Sequence, residues 1–223
     1  MSRTRTQGNV ALIAVLLVVT AGCSVPGPER APATEMQTPD LVWTDGISPS
    51  SPLEADERVK VLRAAGVGSA MAWNSGDFTI AQLTDHLTQA RIESLVSLYR
   101  TDGKHRSYDP GPAPFEPLEI VEEFEDGGGV VEVCRPSLGR SWVYDVTDEF
   151  DPVHGSFDPA SGRTERLRVV REDEVLKLDG EVPGYSSREC GDRRVPVGLF
   201  DPQPVIPAES RKEPVRPPLF EEQ

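Results

Sequence analysis

Leu118-Glu119-Ile120-Val121-Glu122-Glu123-Phe124-Glu125-Asp126-Gly127-Gly128-Gly129-Val130-Val131-Glu132-Val133-Cys134 is the stretch whose reading decides the fold. Leu118, Ile120 and Phe124 alternate with glutamates, the two-residue period of a strand with one apolar face, and Val121 interrupts the alternation where a β-bulge is expected. The three glycines have neither the lysine nor the helix start of a phosphate-binding loop, so they read as a hairpin turn into a second strand over residues 130–134. Glu116, Glu119, Glu122, Glu123, Glu125 and Asp126 load the first arm with acid and no base. This reads as protection of a sheet face or edge from unwanted pairing rather than as a docking stripe for a basic partner.

Downstream the two-residue period continues. Residues 136–139 turn the chain into residues 142–146, an acidic loop covers 147–162, and Leu167, Val169 and Val170 pair with Val175, Leu176 and Leu178 around Glu172-Asp173. Upstream the period changes. Val59, Leu62, Gly66, Ser69, Ala70 and Trp73 recur near 3.6 residues, which predicts a helix over 54–73 stopped by Asn74-Ser75-Gly76-Asp77. Gly66 and Gly68 each cost about 1 kcal/mol inside a helix, which predicts that another element passes close over that face. Thr79-Ile80-Ala81-Gln82 has the form of a capping box, and Ile80, Leu83, Leu87, Ile92, Leu95, Val96 and Tyr99 carry a second helical stretch broken near Thr88. A turn-rich segment, 101–117, separates the two regimes. Helices followed by four or five antiparallel strands make an α+β fold: a curved antiparallel sheet packed against N-terminal helices.

The ends of the chain read differently from its middle. Arg3 and Arg5 precede ten apolar residues, 10–19, and then small side chains, the three-part build of a secretory leader over 1–22. Ten residues at about 1.5 Å each cover half of a hydrocarbon core of about 30 Å, too little for a permanent transmembrane helix. Thr20-Ala21-Gly22-Cys23 resembles the lipobox of bacterial lipoproteins, with Thr in place of the usual Leu, and this implies that Cys23 is diacylated and becomes the mature N-terminus. Arg outnumbers Lys nineteen to four, and Ala, Gly, Pro and Asp are abundant, as in proteins from high-GC bacteria such as actinobacteria. Residues 23–52 follow as a Pro-rich tether whose single apolar patch, Leu41-Val42-Trp43, is expected to dock back on the domain. Residues 53–195 form the domain, and 196–223 a Pro-rich tail without apolar period, both flanking segments reading as disordered. With Cys23 assigned to lipid, Cys134 and Cys190 remain in an oxidising compartment and are expected to form a disulfide worth roughly 4 kcal/mol for the loop it closes. The net charge of −14 repels phosphate backbones and anionic headgroups, which excludes nucleic acid as a partner.

The Ala72-Trp73-Asn74-Ser75-Gly76-Asp77 helix end, the hairpin over 118–134 and the terminal hairpin over 166–178 resemble, in their order, the NTF2-like superfamily, with its SnoaL-like and ketosteroid-isomerase-like members. The resemblance is closest to the secreted lipoprotein branch found in actinobacteria. It covers about residues 54–192, and the last strand departs from the family by keeping a Lys, in Glu174-Val175-Leu176-Lys177-Leu178, without the Trp that usually precedes it. The resemblance implies a cone with a pocket between sheet and helices, where Trp73, Tyr99, Trp142 and Tyr144 would be the lining aromatics; core packing accounts for them equally well. A ketosteroid-isomerase-type site would need Tyr99, Tyr144 and either Asp145 or Glu132 to converge, and no spacing makes them do so. His86, His105 and His154 lack metal-ligand spacing, Asp145, Asp148, Glu149 and Asp151 lack the central Gly of a calcium loop, and no serine sits in a nucleophile elbow. The reading is therefore a lipid-anchored extracytoplasmic binding or assembly protein on the cell membrane, which meets a partner protein or small ligand without cofactor, metal or catalysis. The alternative is a small-molecule isomerase or hydrolase using the same cavity.

Overall fold

The computed structural model describes residues 35–102, 107–137, 144–145, 158–191 and 193–204. Cys23, the leader and most of the C-terminal tail lie outside the described residues.

The first helical region forms where the spacing predicts it, with the α-helix shifted to residues 57–75 from the expected 54–73. Pro52–Ala55 makes a 3-10 turn, and Asp56 caps α1 (Glu57–Ser75) by accepting from the Arg58 backbone N–H at 2.9 Å. Gly76, left-handed at φ 68°, closes the helix by donating to the Ala72 carbonyl at 2.8 Å. The buried side of α1 is broader than one stripe, because Val59, Leu62, Ala65, Ala70, Met71 and Ala72 are all enclosed. Gly68 explains itself: a Cβ there would lie 2.1 Å from the Gln82 carbonyl oxygen, so α2 (Ala81–Thr84) crosses against bare backbone. The break expected near Thr88 separates α2 from α3 (Gln89–Asp102).

The capping box over 79–82 does not form. Thr79 turns back to Asp77, its N–H and hydroxyl donating at 2.9 and 2.6 Å, while the Gln82 amide reaches Met36 and Thr38. A local Asx turn and a distant chain segment win over the helix terminus.

Two short strands, β2 (Ser107–Tyr108) and β5 (Tyr144–Asp145), pair with each other. The main sheet is antiparallel in the order β3 (Glu116–Glu123), β4 (Gly129–Ser137), β6 (Asp158–Glu172) and β7 (Val175–Glu181), and it does not close on itself. The fold is α+β as read. The β3–β4 register shifts between Ile120 and Glu122, which puts the bulge at Val121, and again after Pro117. Acidic, twice-bulged β3 forms one edge. The β7 edge is blunted by residues 86–88, where Leu178 donates to the His86 carbonyl and Thr88 donates to the Leu178 carbonyl, at 2.8 and 3.0 Å.

Val131, Val133, Leu167, Val169 and Leu178 turn one face of the sheet toward α1 and α3, where Phe78, Ile80, Leu83, Ile92, Val96 and Tyr99 complete the core. The segment from Pro196 onward departs from the patternless reading. β8 (Gly198–Asp201) pairs antiparallel with β1 (Asp40–Trp43), bringing Leu41 opposite Phe200 and Trp43 opposite Gly198. The apolar residues Val195, Val197 and Phe200, buried here, supply the reason that a proline count hides. Leu41 packs on the core, so the patch in the tether docks on the domain as expected.

Candidate ligand-binding site

One face of α1 remains turned away from the sheet. Lys60, Arg63, Ala64 and Val67 lie along it at helical spacing and form the floor of a slot of about 370 Å³. Its walls are Leu41 and Trp43 of β1, Pro49, Pro196 with Gly198, and the loop Pro112 to Phe115. The loop and the β1–β8 ribbon are fixed against each other by close approaches. A Cβ on Gly198 would touch the Trp43 ring at 3.0 Å, and one on Gly111 would lie 2.1 Å from the Gly198 carbonyl oxygen, so the loop and the β1–β8 ribbon are in direct contact. Phe200 N–H donates to the Pro110 carbonyl at 2.8 Å. On the helix side, Asn74 exchanges two hydrogen bonds of 2.8 Å with the Asp109 backbone.

Charge at the slot is already spent. Arg63 forks onto Glu54, Nε to Oε2 at 3.2 Å and Nη2 to Oε1 at 2.7 Å, and its guanidinium lies 3.8 Å above the centre of the Phe115 ring. Lys60 pairs with Glu57 at 2.7 Å. What remains open is apolar. Just behind the loop, burial alone pushes the Asp109 carboxyl up to about 7.

The back of the sheet is the second place where functional groups gather. Glu132, on β4, is 1% exposed. It accepts from Arg166 Nε and from the Tyr185 hydroxyl, both at 3.0 Å, and from Arg188. Burial by itself would raise the Glu132 carboxyl; the hydrogen bonds from Arg166, Arg188 and Tyr185 outweigh it and hold the group below its ordinary range. Arg166 also lies 4.5 Å over the Tyr185 ring, and Thr164 Oγ1 meets the Tyr185 hydroxyl at 2.7 Å. Two residues along β4, Cys134 is bonded to Cys190 with a Cα separation of 5.9 Å. The bridge runs over Gly162 of β6, where a Cβ would lie 2.8 Å from the Cys134 sulfur. Both clusters tie residues 185–190 to β4 across β6.

Trp73 and Tyr99 meet edge to face at 5.2 Å, and Phe78 meets Tyr99 at 5.3 Å, so these aromatics pack on one another. Tyr144 is placed by its pairing with Tyr108, and Trp142 lies outside the described residues. Glu132 does not join Tyr99. Val131 and Val133 face the core that holds Tyr99, and strand alternation sends Glu132 to the opposite face. Half-buried His86 uses its carbonyl to receive β7, and burial lowers its imidazole pKa. His105, His154, Asp148, Glu149 and Asp151 lie outside the described residues. Among the described residues, no three of His, Cys, Asp or Glu gather as a metal site, and no helix is long and apolar enough to cross a membrane.

Sequence reasoning missed the slot. Its signal was present in fragments: the apolar Leu41 and Trp43, the second face of α1 at Ala64 and Val67, and the run Pro112-Ala113-Pro114-Phe115. No protein-family model, curated protein or solved structure matches the chain.

Proposed function

We propose that this protein is a lipid-anchored, extracytoplasmic binding protein without catalytic activity, built on an NTF2-like domain and held to the cell membrane of a bacterium, an actinobacterium by its composition, through a diacylated Cys23. The observation that carries the binding half is the slot, an open apolar space of about 370 Å³ bordered by charges already paired with each other. Acid–base catalysis needs a titratable side chain aimed at the reacting atoms. At the slot, Glu54 is committed to Arg63 instead. The buried carboxylate of Glu132, on the back of the sheet, is taken up by Arg166, Tyr185 and Arg188.

The anchor half rests on residues 1–23, and the Cys134–Cys190 bond suits a compartment where disulfides persist. The order of helices and antiparallel strands supports the NTF2-like reading. Two experiments test the proposal. Fractionated cells should hold the parent protein in the membrane and release Cys23→Ser from it; retention of the variant would remove the anchor. Titration of the full-length chain with the uncharged fluorophore N-phenyl-1-naphthylamine should give a saturable rise in emission that Ala64→Trp abolishes. Emission that never saturates would remove the binding role.

A further inference from the structure

We infer that the slot takes an uncharged, apolar small molecule. This rests on the binding reading above and adds the chemistry of the ligand. The volume of about 370 Å³ falls at the lower end of the range of about 300–1,000 Å³ for small-molecule sites. Trp43, Val67, Pro112, Phe115 and Pro196 give apolar surface on several sides, which favours a compact molecule that buries most of its own surface.

Complementarity of charge selects the class. An anionic headgroup would need a free cation, and Arg63 is held twice by Glu54 and once by the Phe115 ring. Lys60 is half exposed and paired to Glu57, where solvent screens whatever it offers. The chain's charge of −14 adds a repulsive field for any anion. A cationic headgroup meets the opposite difficulty. Glu54 is already taken, and the Phe115 face that would receive a cation carries Arg63. An ion drawn into the apolar interior would lose water without gaining a free counter-charge, whereas a neutral molecule leaves each existing pair intact.

Displacement of N-phenyl-1-naphthylamine from the full-length chain tests this, using decanol below its solubility limit and decanoate and decylammonium below their micelle concentrations. Decanol is expected to displace the probe at a concentration at least tenfold lower than either ion. Ala64→Trp from the helix and Ala113→Trp from the loop should each abolish binding, so a folding defect in one leaves the other informative. If decanoate or decylammonium equals decanol, the ligand class is wrong while the binding role stands. If the parent never binds the probe, both fall. Two other occupants would overturn the inference. One is the chain's own tail, revealed if the probe binds only after deletion of residues 205–223. The other is a second copy, revealed if the parent sediments as a dimer that Ala64→Trp dissociates.

Discussion

On the back of the sheet, β4 and the chain beyond β7 are joined across β6 by a disulfide and, two residues along, by an ion cluster; at the slot, α1 and the β1–β8 ribbon face each other across open apolar space. The back face crowds polar groups together and leaves none of the cluster's carboxylate oxygens unanswered. The slot does the reverse, pairing its few charges at the border and leaving the interior unfilled. Apolar area normally drives closure, at roughly 25 cal/mol per Å² buried. A space that stays open between elements fixed by close backbone contacts is therefore held open by the frame around it.

The largest effect expected from breaking this contrast is at the disulfide. Cys134→Ala with Cys190→Ala should cost about 4 kcal/mol in chemical denaturation, as expected when a bridge closing a loop of 56 residues is lost. A loss below about 1 kcal/mol would mean that the ion cluster alone holds residues 185–190 in place. Next comes Glu132→Gln, which leaves Arg166 and Arg188 facing a neutral amide. Breaking a fully buried pair costs about 3–5 kcal/mol, and because both arginines keep contact with water the expected loss is about 2–3 kcal/mol.

Acid and base separate the two regions further. Glu132 is held below its ordinary range, so its contribution is complete above about pH 4.3, where an unfolded Glu ionises, and is lost as the pH falls from there through its folded value. Asp109, raised to about 7 behind the slot loop, acts in the opposite direction. Between about pH 4 and pH 7 the folded chain holds a proton that the unfolded chain has released, so stability falls as the pH rises through that window. Asp109→Asn is expected to match the parent near pH 4 and to exceed it by about 1–2 kcal/mol at pH 8, a gain kept modest because Asp109 retains part of its surface in solvent. Parallel stability profiles for parent and variant would contradict the assignment. The smallest effect belongs to Lys60→Gln, which should change stability by less than about 0.5 kcal/mol, since an exposed pair is worth little.

Much of the frame was legible in local pattern. The bulge at Val121, the helix stop at Gly76, the break near Thr88 and the close approach at Gly68 each follow from a period broken or a side chain withheld. The disulfide followed from counting cysteines. What stayed hidden depends on contacts distant in sequence. β1 and β8 are four residues each and separated by most of the domain, so neither shows a period long enough to be read alone. The slot needs both of them together with a face of α1 that resembles ordinary solvent-facing surface. Glu132 was visible as a candidate acid, but its partners Tyr185 and Arg188 come from a segment without regular structure, and strand alternation carries it away from Tyr99.

The most direct test of the division between a binding slot and a stapled back face is a titration of N-phenyl-1-naphthylamine into the parent chain, Ala64→Trp and Glu132→Gln, side by side and well below each melting temperature. Saturable binding in the parent and in Glu132→Gln, with none in Ala64→Trp, is the expected result. Binding that survives Ala64→Trp and disappears in Glu132→Gln would contradict it and move the site to the back of the sheet.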